Sequence, residues 1–174
     1  MAESKHESNG YREVWLLAGS RTPIGSFGRT LKSVGVAKLA AHTMKQAIRR
    51  SQIDAGSLDT IVLGHAYQSS YAPNTARVAA LEAEIPASVP AMTVHRQCGS
   101  GMEAVNLAAS DIRLGRAELA LAGGVESMST VPYLLPGTMR WKGFIAKNFP
   151  KIVRLGPRPV MFAAADKSST RFSS

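Results

Sequence analysis

The sequence predicts an α/β domain with a mixed, mostly parallel sheet and helices on both faces. The main observation is that short apolar runs alternate along the chain with stretches of helical periodicity. A second is that Gly or Pro ends most of these segments. Strands separated by helices are connected by crossovers, which place them side by side in parallel. With 174 residues, 45% hydrophobic and 19% charged, the chain is long and apolar enough to bury one domain core.

The first half of the pattern contains two strands and one helix. Residues 14–18 form an apolar run that stops at Gly19, which predicts a buried strand. From Val36 onward apolar residues recur every three or four positions, which predicts an amphipathic helix. Residues 59–64 contain a second short apolar run, Ile-Val-Leu, which predicts the next strand.

The second half continues the alternation. Asn74 is a predicted N-cap for a helix that reaches Leu81 and ends before Pro86. Residues 91–94 predict a third strand. A third helix is predicted over residues 101–114, where Gly115 closes it, and a fourth strand over residues 118–122, which ends at two glycines.

The third predicted helix is apolar on more than one face. Its polar positions are few, and they are Glu103, Asn106, Ser110, Asp111 and Arg113. A helix on the surface of an α/β domain needs only one apolar stripe. We therefore expect this helix to lie between two layers, one of which is outside this chain.

The charge divides the chain into two parts. Residues 1–136 hold 13 basic and 11 acidic side chains, whereas residues 137–174 hold 8 basic side chains and one acidic. We interpret residues 13–136 as the folded domain and 137–174 as a basic tail interrupted by Pro, Gly and Ser. Such tails are more often solvated than nucleic-acid binding, and the aromatic residues here lack the regular spacing of a base-stacking surface. We therefore do not expect nucleic acid to be a partner.

Composition also excludes several classes of protein. No apolar run approaches the roughly 20 residues of a membrane-spanning helix. The first residues resemble neither a secretory signal nor a transit peptide, so the cytoplasm is the expected compartment. Cys98 is the only cysteine, which excludes an intrachain disulfide. The histidines show no metal-binding spacing, so no metal site is expected.

Cys98 is the candidate catalytic residue. It lies at a predicted turn from strand to helix, where free backbone amides and the positive end of the helix dipole favour a thiolate. Gly99 and Gly101 permit a sharp turn and leave space for a bulky thioester. The Cys98 amide is placed to stabilise an oxyanion. The alternative is a small buried hydrophobic residue, and sequence physics leaves both interpretations open.

His95 and Glu126 are two further candidate polar residues. His95 precedes Cys98 by three residues and is a candidate base, although a structural or surface role is more common in such a position. Glu126 follows a glycine-rich strand exit, where it either holds the floor of a site or is an ordinary loop acid. No substrate-binding residue is identified.

Four separated motifs resemble the N-terminal half of the thiolase family, which includes acetyl-CoA acetyltransferases and 3-ketoacyl-CoA thiolases. The similarity runs from about Glu13 to about Phe144. The motifs occur in family order, and they are Ser20-Arg21-Thr22-Pro23-Ile24-Gly25, Asn74-Thr75-Ala76-Arg77, Cys98-Gly99-Ser100-Gly101-Met102 and Gly123-Gly124-Val125-Glu126-Ser127-Met128-Ser129.

The resemblance implies a function. Cys98 matches the nucleophile that takes an acyl group from acyl-CoA as a thioester. A second acyl-CoA then gives a 3-ketoacyl-CoA, or CoA cleaves one in reverse. Acyl-CoA is a substrate, so no cofactor is implied. The resemblance also implies lipid metabolism and either a homo-oligomer or pairing with another thiolase chain.

The sequence also departs from the family pattern. Thiolases pair two similar halves, and the second half supplies a His in a Gly-His-Pro motif and a Cys in a Cys-x-Gly motif. Here Gly64-His65 is followed by Ala66, and no second cysteine exists. Many relatives carry Asn where His95 stands. The similarity fades within the family's loop domain, which predicts incomplete catalysis, with a non-catalytic, partner-binding fragment as the alternative.

Overall fold

The computed structural model describes residues 12–132, which form a parallel sheet with helices on both faces. The elements are α1 (Val36–Ser51), a 3-10 turn (Ala55–Ser57), β1 (Thr60–Gly64), α2 (Thr75–Glu82), β2 (Ala91–Val94), α3 (Ser100–Arg113) and β3 (Ala120–Gly124). The strand order is β2-β1-β3, and both pairings are parallel. The predicted α/β class is confirmed.

The central strand β1 is covered on both faces. Val62 packs on Ala104 and Ala108 of α3. Ile61 and Leu63 point to the other face, where they join the cluster formed by α1 and α2. Ile61 and Val62 are completely buried. Burial on both faces explains why this strand is a continuous apolar run in the sequence rather than an alternating one.

The helices begin and end close to the positions predicted from their capping residues. The Asn74 side chain accepts a hydrogen bond from the Arg77 amide, as the predicted N-cap requires. Gly115, with φ of 70°, follows α3 in the left-handed conformation that glycine adopts without strain. Helix α3 begins at Ser100, one residue earlier than predicted.

The predicted first strand, residues 14–18, is wrong. This segment has no regular structure, and Trp15, Leu16 and Leu17 are 75%, 61% and 61% exposed. A strand requires hydrogen bonds to a neighbouring strand. The segment lies opposite β3 across a cavity and does not pair with it, so its apolar residues remain uncovered.

Helix α3 is covered on one face only within residues 12–132. Its buried residues are Ser100, Ala104 and Ala108, all small. Met102 on this helix and Leu114 just beyond it are 54% and 56% exposed. The apolar surface that the sequence predicts for a second layer is therefore partly open in this part of the chain.

The basic tail, residues 137–174, lies outside the described residues, as does the junction at 136. Within residues 12–132, no helix is long and apolar enough to cross a membrane.

Asp59 connects the beginnings of β1 and β3. Its Oδ2 accepts hydrogen bonds from the amides of Glu118 at 2.7 Å and Leu119 at 3.0 Å. These bonds lower the pKa of Asp59 below its ordinary value of 3.8, the Leu119 amide contributing most and partial desolvation opposing both. The carboxylate form is therefore favoured in the folded state.

We expect the contribution of Asp59 to be pH-dependent. Because the folded pKa is depressed, the stabilisation is present above the ordinary pKa and is lost as the pH falls through the lower, folded value. Urea unfolding at pH 7 should show Asp59→Asn to be less stable than the wild type, and the difference should shrink below about pH 4. Glu82→Gln, at an exposed position, is the control. A difference between wild type and Asp59→Asn that is independent of pH would contradict this assignment.

Candidate active site

Cys98 lies in the turn that joins β2 to α3. It is exposed, and the next residue, Gly99, is the N-cap of α3. Two hydrogen bonds between residues three positions apart form the turn. The Gly99 amide donates to the Arg96 carbonyl at 3.0 Å, and the Ser100 amide donates to the Gln97 carbonyl at 3.1 Å. The alternative interpretation of Cys98 as a small buried hydrophobic residue is therefore wrong.

The buried Ser100 side chain holds the turn together. Its Oγ accepts a hydrogen bond from the Arg96 amide at 2.8 Å and donates one to the Gln97 carbonyl at 2.6 Å. Gln97, next to Cys98, has φ of 50°, a left-handed conformation that is unfavourable for a residue with a side chain. The surrounding hydrogen bonds maintain this strained backbone, so Cys98 is presented on a rigid support.

Glycines let the start of α3 contact the carboxyl ends of two strands. A Cβ at Gly64, the last residue of β1, would overlap the backbone of Ser100 and Gly101. A Cβ at Gly124, the last residue of β3, would lie 3.0 Å from the Gly101 Cα. A Cβ at Gly99 or Gly101 would meet only ordinary contacts. Glycine is therefore required most strictly at the strand ends, Gly64 and Gly124. The sequence had instead predicted that requirement for the glycines beside Cys98.

The charged groups near Cys98 are mostly exposed. Arg96 and Glu103, on either side of the turn, form an ion pair. His95 is exposed, and no hydrogen bond joins it to Cys98 in the described part of the chain. This position agrees with a surface role for His95. Cys98 itself lies directly before Gly99, the N-cap of α3.

A buried polar network lies where β1 and β3 end. His65 and Glu126 are 2% and 7% exposed, and His65 Nε2 lies 3.1 Å from Glu126 Oε1. The other ring nitrogen, Nδ1, is hydrogen-bonded to the Thr75 hydroxyl at 2.8 Å. The Ala66 amide donates to Glu126 Oε2 at 2.9 Å. Glu126 thus holds two strand ends together, so the interpretation as an ordinary loop acid is wrong.

The contact between His65 and Glu126 is close but not aligned as a hydrogen bond. Glu126 Oε1 has no hydrogen-bond donor among the described residues. The pair is therefore a close contact without a hydrogen bond, and the Ala66 amide makes the directional bond to this side chain. Sequence reasoning missed the pair because the two residues belong to different strand exits, and no local spacing connects them.

The motif around Asn74 has a structural role. Asn74 Nδ2 donates to the Ala91 carbonyl at 2.9 Å, and the Ala76 amide donates to Thr93 Oγ1 at 2.9 Å. Arg77 donates to the carbonyls of Val89 and Ala87 at 3.0 and 2.9 Å. These bonds attach α2 to β2 and the loop before it, which positions the strand that leads to Cys98.

A metal ion has no recognisable site in residues 12–132, where no three His, Cys, Asp or Glu side chains cluster. The candidate site thus consists of the exposed Cys98 thiol on a hydrogen-bonded turn. The buried side chains of Glu126 and His65 lie at the strand ends.

Known proteins have sequences similar to that of this chain. Residues 14–151 match the model of the thiolase N-terminal domain. The acetyl-CoA acetyltransferase of Syntrophomonas wolfei is 45% identical over 130 residues, covering 75% of this chain and 33% of that protein. The beta-ketoadipyl-CoA thiolase of Pseudomonas knackmussii is 47% identical over 126 residues, covering 71% of this chain and 31% of that protein.

Solved structures give the same result. The crystal structure of the Bacillus anthracis acetyl-CoA acetyltransferase matches with a TM-score of 0.73 and 37% identity, covering 92% of this chain and 37% of that one. A thiolase from Ascaris suum in complex with coenzyme A matches with a TM-score of 0.67 and 33% identity, covering 70% of this chain and 32% of that one. The chain spans about a third of the length of these relatives. With the family model matched across most of its length, this chain belongs to the thiolase family and corresponds to its N-terminal domain.

Proposed function

We propose that this chain provides the acyl-accepting part of thiolase chemistry, with Cys98 as the nucleophile. The exposed position of Cys98 on the rigid turn before α3 carries the proposal. The names of its relatives indicate the substrate class, since they are acetyltransferases and thiolases of CoA esters. The proposed substrate is therefore an acyl-CoA, and the proposed setting is lipid metabolism in the cytoplasm.

The proposed step is transfer of the acyl group from one thiol to another. The Cys98 thiolate attacks the thioester carbonyl of acyl-CoA, and the Cys98 amide is the proposed donor to the oxyanion. The bond from the carbonyl carbon to the CoA sulfur then breaks. CoA leaves as a thiolate and takes up a proton from water. The step needs no oxidant, metal or cofactor, because one thioester replaces another.

We infer that the subsequent carbon–carbon step is incomplete in this chain alone. That step needs an acid or base to remove a proton from the second acyl-CoA. The sequence contains neither a Gly-His-Pro motif nor a second cysteine, and the match covers only 33% of the acetyl-CoA acetyltransferase of Syntrophomonas wolfei. The exposed His95 is not bonded to Cys98. We therefore expect slow acylation of Cys98 and no measurable condensation of acetyl-CoA.

The test is native mass spectrometry of the purified chain after incubation with acetyl-CoA. We expect one acetyl group per chain, absent in Cys98→Ala and retained in His95→Ala. An adduct that survives Cys98→Ala would exclude Cys98 as the acceptor. Absence of any adduct on a folded chain would contradict the proposal, and formation of acetoacetyl-CoA would contradict the inferred incompleteness.

A second candidate is a non-catalytic module that binds another thiolase chain. The exposed Met102 and the open apolar side of α3 favour it. The same native spectra report assembly. If this role alone is correct, the chain forms a defined complex without acetylation, and Met102→Asp weakens the complex while leaving the folded chain intact.

A further inference from the structure

The turn that carries Cys98 has an uncommon backbone form. The hydrogen bond from the Gly99 amide to the Arg96 carbonyl closes a four-residue turn. Its two central residues are Gln97 and Cys98. Gln97 has φ of 50°, whereas φ of Cys98 is not positive. A positive φ at the first central position alone is the pattern of a type II′ turn, which favours glycine there. Gln97 is therefore held in a conformation that its side chain disfavours.

The Ser100 side chain bonds to this turn at two points. Its Oγ donates to the Gln97 carbonyl at 2.6 Å and accepts from the Arg96 amide at 2.8 Å. The Ser100 amide donates to the same Gln97 carbonyl at 3.1 Å. Ser100 is 4% exposed, so its hydroxyl has little access to water. The Gln97 carbonyl is thus held by two donors of one buried residue.

The Gln97 carbonyl and the Cys98 amide belong to one peptide group. A trans peptide group is planar, so its C=O and N–H point in opposite directions. Because the carbonyl is directed at the buried Ser100 side chain, the Cys98 N–H points away from it. This N–H has no hydrogen-bond partner among residues 12–132. The bonds of Ser100 therefore set the direction of a free backbone donor next to the Cys98 sulfur.

The direction of this donor matters for acyl transfer, so the inference rests on the proposed function. Attack by Cys98 places negative charge on the oxygen of the thioester carbonyl, and a donor stabilises that charge only when it is aimed at the oxygen. The φ and ψ angles of Gln97 determine the orientation of the next peptide group. Relaxation of Gln97 to the more common negative φ would therefore turn the Cys98 amide away from its present direction.

We propose that Ser100 and Gln97 are positioning residues for acyl transfer to Cys98. The Ser100 hydroxyl holds Gln97 in the left-handed conformation, and that conformation aims the free Cys98 amide at the developing oxyanion. Ser100 acts through the peptide group and not by contact with the substrate. The strain at Gln97 makes the hydroxyl necessary, because a strained backbone persists only where its surroundings maintain it.

The first test compares two reactions of Cys98 in Ser100→Ala. Mass spectrometry gives the rate of acetylation by acetyl-CoA and the rate of alkylation by iodoacetamide at the same pH. Alkylation forms no oxyanion, so the ratio of the two rates removes changes in the exposure of the sulfur. We expect the ratio to fall at least about tenfold, since loss of a whole oxyanion donor costs about 10²–10³ in rate. Ser110→Ala, which removes an exposed hydroxyl bonded to the Asn106 carbonyl, should leave the ratio unchanged.

A rescue experiment separates positioning from a general loss of stability. Glycine adopts positive φ without strain, so Gln97→Gly in the Ser100→Ala background should recover most of the lost ratio. Gln52, with φ of 56°, is a matched control because it has the same side chain and follows α1. Gln52→Gly in the same background should recover nothing. Equal recovery by both glycine substitutions would overturn the proposal, because it would show that Ser100 acts through stability alone.

A substitution at the exposed position 97 tests the same point without removing a buried hydroxyl. Valine is β-branched and resists positive φ, so Gln97→Val should also lower the ratio of acetylation to alkylation. An unchanged ratio in both Gln97→Val and Ser100→Ala would overturn the proposal.

NMR distinguishes failure of this inference from failure of the proposed function. A short distance between the amide and Hα protons of Gln97 reports positive φ whether or not acetyl-CoA reacts. We expect this short distance in the wild type and its loss in Ser100→Ala. A positive φ that persists in Ser100→Ala would overturn the proposal. Alkylation of the wild type without acetylation would contradict the proposed function, and the NMR result would then decide alone whether Ser100 holds the turn.

Discussion

Gly64→Ala is expected to lower the free energy of unfolding by about 3 kcal/mol or more, the upper end of the range for overpacking. The added Cβ would overlap the backbone of Ser100 and Gly101. Backbone atoms at the start of a packed helix cannot move aside as a flexible side chain can. Chemical denaturation followed by circular dichroism measures the loss.

The control for this substitution lies in the neighbouring strand. Gly123 is also near a strand end, but a Cβ there would meet nothing within 4 Å. Gly123→Ala should change stability by less than about 1 kcal/mol, and the reduced freedom of the unfolded chain favours a gain. If both substitutions lower the free energy of unfolding equally, the close contact between β1 and α3 is not the reason that position 64 requires glycine.

The Gly64→Ala substitution should also affect Cys98. Ser100 holds the turn through its bonds to Arg96 and Gln97, so displacement of Ser100 should loosen that turn. The rate at which a thiol reagent modifies Cys98 in native buffer should change in Gly64→Ala and stay the same in Gly123→Ala.

Glu126→Ala is expected to cost about 2 to 3 kcal/mol, the range for losing a charged hydrogen-bond acceptor and leaving its buried donor unsatisfied. The substitution leaves the Ala66 amide without its acceptor and removes the carboxylate beside His65. Because these groups join the ends of β1 and β3, the loss should appear in global unfolding. Urea denaturation at pH 7 measures it.

A surface glutamate provides the comparison. Glu118 forms an exposed ion pair with Arg12 at 3.7 Å, and exposed pairs contribute about 1 kcal/mol or less. Glu118→Ala should therefore cost much less than Glu126→Ala. Equal losses of unfolding free energy would contradict the role of Glu126 in joining the ends of β1 and β3.

The sequence located the candidate site but not its supports. Cys98 was identified because a lone cysteine between a strand and a helix, flanked by glycines, is a local pattern. Holding the floor of the site was one of two interpretations of Glu126, but its contacts with His65 and Ala66 and the role of Gly64 could not be predicted. Their importance comes from groups that are distant in sequence, such as Ala66 and Glu126, 60 residues apart. No window of sequence contains both members of such a contact.

The same division applies to the fold. Periodicity, the Asn74 cap and the glycine after α3 act within a few residues, so the sequence by itself determined the three helices and the strands β1, β2 and β3. Residues 14–18 have the composition of a strand, yet they remain unpaired in the described structure. A helix satisfies its hydrogen bonds internally, whereas a strand obtains them from another segment. Only the tertiary structure could decide whether that neighbouring segment was in place.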